Sequence, residues 1–75
     1  MDTPKYTEDY VSPMLQDTRN MVRNRPPGWT YERIANETGL GYAWLTSFMT
    51  RKPDPSVNRT EFLYHFMRKV HGYHN

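Results

Sequence analysis

Proline and glycine divide this chain into short segments, and that division constrains the fold more than any other feature. Breaks occur at residues 26–28, 39–41 and 53–55, where proline or glycine stands in each group. Proline removes a backbone donor and glycine permits turn conformations, so each group ends a helix. The segments between them lack strand alternation and show helical spacing instead. The sequence therefore predicts an all-α domain of four helices.

The predicted helices begin at recognisable capping residues. The first begins at Ser12-Pro13, the second follows Thr30, the third spans residues 42–50, and the fourth begins at Ser56 or Asn58. Gly39 ends the second helix as a left-handed C-terminal residue. Residues 1–11 are predicted to form a flexible acidic arm, residues 12–70 the domain, and residues 71–75 a frayed tail.

Each predicted helix has an apolar side and a polar side. The polar side of the first helix includes Arg19 and Arg23. The sides predicted to form the core are Met14, Leu15, Thr18, Met21 and Val22; Tyr31, Ile34, Ala35 and Thr38; Trp44, Leu45, Phe48 and Met49; and Phe62, Leu63, Phe66, Met67 and Val70.

Length and composition exclude several classes of protein. A chain of 75 residues has room for one domain with a small core. The absence of cysteine excludes disulfides, thiolate metal sites and cysteine nucleophiles. No run approaches the roughly 18 apolar residues of a membrane helix, so we expect no membrane partner and a cytoplasmic location. No catalytic motif is present, so we expect neither an enzyme nor a cofactor.

Charge is distributed unevenly along the chain. Residues 1–17 carry four acidic residues and one basic residue, a net charge of −3. Residues 18–75 carry nine basic and four acidic residues, a net charge of +5. A basic body behind an acidic leader is compatible with nucleic-acid binding.

The most informative pattern lies in residues 30–50, where two short helices are joined by a glycine-containing turn. Ala35 is small enough for the two helices to cross closely, and Gly39 adopts the backbone conformation of the turn at little cost. The small core between the helices is filled by Ile34, Leu40, Leu45 and Phe48.

This pattern resembles the lambda-repressor-like (Cro-type) helix-turn-helix DNA-binding domains of phage and bacterial transcription regulators. The resemblance extends from Ser12 to Val70 and rests on the spacing of Ala35, Gly39 and Leu40 together with the flanking helices. Two features depart from the family. Gly41 stands where relatives usually have a capping Ser or Thr, and the fourth helix is the last one predicted, whereas many relatives have a fifth.

The resemblance implies binding of double-stranded DNA, with the helix at residues 42–50 in the major groove. Two copies on a two-fold site are usual in the family, so the resemblance leaves a homodimer open, although no heptad seam in this sequence establishes one. Groove contacts are implied for Tyr42, Ala43, Thr46 and Ser47, and phosphate contacts for Thr30, Tyr31, Arg51 and Lys52. Arg19, Arg23 and Arg33 would add to the positive field.

Residues 42–50 contain none of the side chains that read bases by two hydrogen bonds, namely Arg, Lys, Asn and Gln. Any sequence preference would then depend on methyl contacts, single hydrogen bonds and DNA shape. An alternative function stays open: a small adaptor or inhibitor that uses the same surface to bind a protein of the transcription machinery.

Several aromatic and histidine residues have simpler structural interpretations. Trp44 is predicted to pack over Phe48 or under the fourth helix, and Trp29 to pack on the second helix as a hydrophobic staple. Tyrosines outside the apolar sides, among them Tyr6 and Tyr10, would suit a dimer or partner surface. The spacing of His71 and His74 is not expected to form a metal site.

Overall fold

The computed structural model describes residues 5–7, 10–50 and 55–72. Within these ranges the chain forms four α-helices and no strand: α1 (Pro13–Arg23), α2 (Tyr31–Thr38), α3 (Tyr42–Met49) and α4 (Val57–Val70). The prediction of an all-α chain is confirmed, and the helices begin and end at or next to the predicted positions. None of the helices in the described ranges combines the length and apolarity that a membrane crossing needs.

Local chemistry accounts for where the helices begin and end. The side chains of Thr30 and Ser56 accept hydrogen bonds from the backbone N–H groups three residues later, at 3.1 and 3.4 Å. Gly39 follows α2 with φ of 75°, a left-handed conformation that costs a larger residue energy. Gly41 precedes α3 with φ of 90° and offers no side-chain cap, as the sequence predicts.

The helices pack as two pairs around one apolar cluster. α1 lies against α4, and α2 lies against α3. The side chains of this cluster interlock the two pairs, so removing apolar volume from either pair would affect both. Its buried members are Met21, Val22, Ile34, Ala35, Trp44, Leu45, Phe48, Leu63 and Met67.

Phe62 was predicted to lie in the core, and that prediction is wrong: 53% of the residue is exposed. The buried residues of α4 include Thr60, Leu63 and Met67. At about 100° per residue these three span an arc of about 60°, and Phe62 lies about 130° from its centre. The apolar stripe of α4 is therefore wider than the side that α1 covers.

Arg19 was predicted on the polar side of α1, and that prediction is also wrong. Only 8% of the residue is exposed. Its Nε–H group donates a 2.8 Å hydrogen bond to the backbone oxygen of Phe48 in α3, and its guanidinium lies 5.1 Å from the centre of the Phe48 ring. A long arginine side chain can bury its stem and still find a polar partner, so helical periodicity alone misplaces it.

The segments before α1 and after α4 each form a few contacts. The N–H of Tyr10 donates to the oxygen of Thr7 at 3.0 Å, and the rings of Tyr6 and Tyr10 are 6.3 Å apart. After α4, a ring nitrogen of His71 donates to the oxygen of Met21 in α1 at 2.8 Å. This bond ties the first residue of the predicted tail to the C-terminal part of α1, whereas His74 lies outside the described residues.

Replacing Ala35 with leucine should destabilise the domain. Ala35 is 4% exposed and belongs to the central cluster, so three added carbons overpack the core at a cost of about 1–3 kcal/mol. The free energy of unfolding, measured by urea denaturation, should fall by that amount. Asn36→Leu, at an exposed position of the same helix, is the control. Equal stability of Ala35→Leu and the wild type would contradict the packing described here.

Candidate nucleic-acid interface

One side of α3 is buried and the opposite side carries small residues open to solvent. Trp44, Leu45 and Phe48 are buried. Ala43 and Ser47 are exposed, as is Thr50, the residue that follows the helix. At about 100° per residue, the three exposed residues lie within about 60° of one another. We call them the outer face of α3.

The groove residues implied by the resemblance are distributed around this outer face. Ala43 and Ser47 belong to it, and Thr46 lies at its edge and is half-buried. Tyr42, in the first turn of α3, is 52% exposed. None of the four is buried, so all of them retain some solvent-accessible surface.

The hydroxyl groups on this side differ in what they can still bind. Thr46 donates its hydroxyl proton to the oxygen of Ala43 at 3.0 Å, and Thr50 donates to the oxygen of Thr46 at 2.8 Å. These threonines keep only acceptor lone pairs for a further partner. The hydroxyl of Ser47 makes no hydrogen bond within the described residues, so it can both donate and accept.

The inner side of α3 is held rigidly. The rings of Trp44 and Phe48 stack with centroids 5.1 Å apart, as the sequence predicts for Trp44. The guanidinium of Arg59 in α4 lies 6.0 Å from the Trp44 ring. At the C-terminal end, Arg19 donates to the Phe48 oxygen, a carbonyl in the last turn, where backbone acceptors lack intrahelical partners. Both ends of the helix's inner side are thus tied to other helices.

The first turn of α2 provides a second polar group of residues. Thr30 is exposed, and its side chain is used in capping α2. Tyr31 is half-buried, and the guanidinium of Arg25 lies 4.7 Å from its ring centre. Since Thr30 occupies the N–H of Arg33, the N–H groups of Tyr31 and Glu32 are the ones left for a ligand at this helix start.

Arginines surround this helix start but differ in availability. A shallow cleft is lined by residues of the α1–α2 connection, including Arg23 and Arg25. Arg23 is exposed, whereas Arg25 also donates to the oxygen of Val22 at 3.0 Å. Arg33 forms a 2.7 Å ion pair with Glu37. Arg33 thus adds less to the positive field than the sequence predicts, and the buried Arg19 adds little.

The α1–α2 connection is the feature that sequence reasoning missed. Arg25 directly precedes the predicted break at residues 26–28, and its guanidinium lies on Tyr31, which the resemblance implicates in phosphate contact. Trp29, predicted to pack on α2, meets the Phe66 ring of α4 edge-on at 5.7 Å and carries Arg33 at 3.7 Å from its ring centre. The signal available in the sequence was an arginine directly before Pro26.

Arg51 and Lys52 lie outside the described residues, so their phosphate contacts stay predictions from the sequence. Within the described ranges, no group of three or more His, Asp or Glu side chains is placed to hold a metal ion.

Comparison with known proteins identifies no relative of this chain. No model of a protein family, no curated protein and no solved structure matches the chain significantly. The function of the chain must therefore be argued from its own residues.

Replacing Arg19 with methionine should loosen α3. The variant keeps the apolar stem but leaves the Phe48 oxygen without its charged donor, a loss of about 2 kcal/mol in the free energy of unfolding. Urea denaturation measures this loss. Arg23→Met, at an exposed position of the same helix, should change stability by less than about 0.5 kcal/mol. Equal effects of the two substitutions would contradict a stabilising role for the buried guanidinium.

Proposed function

We propose that this chain binds double-stranded DNA and regulates transcription, with α2 and α3 acting as a helix-turn-helix of the lambda-repressor-like type. The observation that carries the proposal is the outer face of α3. It is exposed on a helix whose other side is fixed to the core, and its side chains are small. A rigid helix with a small-residue face can approach base edges closely in a major groove about 12 Å wide.

Affinity in this proposal comes from the DNA backbone. The start of α2 offers two free N–H groups, and Arg23 and Arg25 lie beside it. Phosphates favour such helix starts, because the N–H groups point at the ligand and the helix dipole attracts negative charge. Arg51 and Lys52, which follow α3 in the sequence, add two further positive charges.

Base readout in this proposal is weak. The methyl group of Ala43 suits the methyl group of thymine, and Ser47 can form one hydrogen bond with several bases. Thr46 offers only an acceptor, which suits the amino group of adenine or cytosine. Single hydrogen bonds discriminate less than paired ones, so much of any sequence preference comes from DNA shape.

A second candidate function is supported by the exposed aromatic residues of the N-terminal arm. Tyr6 is 78% exposed and Tyr10 is 61% exposed. They line a groove of about 540 Å³ between the starts of α1 and α4. Aromatic residues are enriched in protein interfaces, so this groove favours an adaptor or inhibitor that binds a protein of the transcription machinery. Such binding would depend far less on salt than DNA binding does.

Replacing Ser47 with glutamate should weaken DNA binding by at least about tenfold, because a carboxylate on the outer face of α3 is repelled by phosphates. Fluorescence anisotropy with a labelled duplex at low salt measures the change. Gln16→Glu is the matched control: it adds the same charge at an exposed position of α1. A wild-type protein that binds no duplex, or two variants that bind equally well, would contradict the proposal.

The double substitution of Arg51 and Lys52 to alanine should weaken binding to all duplex sequences about equally. Each phosphate contact releases counterions, so the slope of log K against log salt should become shallower by about 1.8. Anisotropy titrations at several salt concentrations measure the slope, and Lys5→Ala serves as a single-charge control in the arm. An unchanged slope would remove these two residues from the DNA interface.

A further inference from the structure

The outward side of α4 carries an aromatic and charged surface that no described helix covers. Phe62 is 53% exposed at its centre, and Phe66 beside it is half-buried. Together with their neighbours they line a shallow depression. We call this surface the α4 face; its members are Asn58, Glu61, Phe62, His65, Phe66 and Lys69.

The charges of the α4 face have no partner within the described residues. The one ion pair among the described residues joins Arg33 to Glu37, and both of these belong to α2. Glu61 and Lys69 are both exposed and lie eight residues apart, about 12 Å along the helix, which is too far for a direct pair. Each is therefore available to a charge on another molecule.

We propose that the α4 face binds the same face of a second copy of this chain, with the two α4 helices antiparallel and crossing at His65. Glu61 and Lys69 are each four residues from His65, one before it and one after it. A two-fold axis that passes at the level of His65 places Glu61 of each copy at the level of Lys69 of the other copy. A surface that is complementary to itself in this way suits an isologous two-fold interface.

The same symmetry finds an apolar partner for Phe62. At 1.5 Å per residue, Phe62 lies about 4.5 Å from the His65 level on one side, and Lys69 lies about 6 Å from it on the other. Around the helix axis, Phe62 and Lys69 lie on the same side of His65, at about 60° and 40° from it. The two-fold axis therefore sets the ring of Phe62 against the methylene stem of the second copy's Lys69. The stem covers the exposed ring, and the ammonium group stays in contact with water.

The size of this surface predicts a weak dimer. α4 has 14 residues and is about 21 Å long, so a single helix pair buries less area than a standard protein interface. We expect dissociation in the micromolar range or above. The dimer does not depend on DNA, because α3 contributes no residue to it.

Sedimentation equilibrium of the full chain without DNA tests the proposal. Between about 10 µM and 1 mM, the mean mass should rise from the monomer value of 9.0 kDa towards twice that value. Phe62→Ser should weaken the association by at least about tenfold. Val57→Ser, at a residue that is 69% exposed on the same helix but outside the α4 face, should leave it unchanged. Circular dichroism of both variants checks that the fold is intact.

A charge exchange gives an independent test of the antiparallel arrangement. Glu61→Lys alone and Lys69→Glu alone each place like charges opposite one another, so each should weaken self-association by at least about tenfold. An equimolar mixture of these two variants restores both opposite-charge pairs, and it should form a heterodimer within about threefold of wild-type affinity.

The outcomes separate this proposal from DNA binding. A mass of 9.0 kDa at every concentration would overturn it, as would self-association that neither Phe62→Ser nor the charge substitutions weaken. Failure of the variant mixture to associate would exclude the antiparallel arrangement. None of these results bears on Ser47 and the outer face of α3.

Discussion

The buried guanidinium of Arg19 is the contact on which the placement of α3 depends. It donates to the Phe48 oxygen at 2.8 Å and lies against the Phe48 ring. A charged donor on a carbonyl at a helix C-terminus satisfies an acceptor that lacks an intrahelical partner and complements the helix dipole. The bond also spans the two helix pairs, since Arg19 belongs to α1 and Phe48 to α3.

This contact explains how so short a helix can present a defined surface. An isolated helix of eight residues is unstable in water, and α3 begins at a glycine that offers no side-chain cap. Its stability therefore comes from its inner side, where Trp44 and Phe48 stack and Leu45 is buried. Because the inner side carries the packing, the outer face is free to consist of small residues. In the proposed function, the inner side of α3 stabilises the fold and the outer face contacts DNA.

The features that the sequence predicted are those set by local chemistry. Thr30 caps α2, Gly39 ends it, and the periodicity of α1 indicates its buried residues apart from Arg19. Each depends on residues within a turn or two of one another, so a single sequence contains the information. The exposure of Ala43 and Ser47 also followed from helical periodicity.

The features that the sequence did not predict depend on contacts between distant segments. Arg19 is buried because a carbonyl 29 positions away accepts a hydrogen bond from its guanidinium. Helical periodicity assigns an arginine to the polar side and does not detect such a partner. Phe62 is exposed because α1 covers only part of the apolar stripe of α4. Arg25 contacts Tyr31 through a turn whose path the prolines alone do not determine. In each case the outcome depended on tertiary packing, which the local pattern does not contain.

The most direct measurement of the central claim is a map of backbone amide chemical shifts during titration with a duplex of mixed sequence at low salt. The proposed function predicts that the largest shift changes fall on the first turns of α3, around Ala43 and Ser47, and on the start of α2. Changes confined to the aromatic arm or to α4, or no change at saturating duplex, would contradict it.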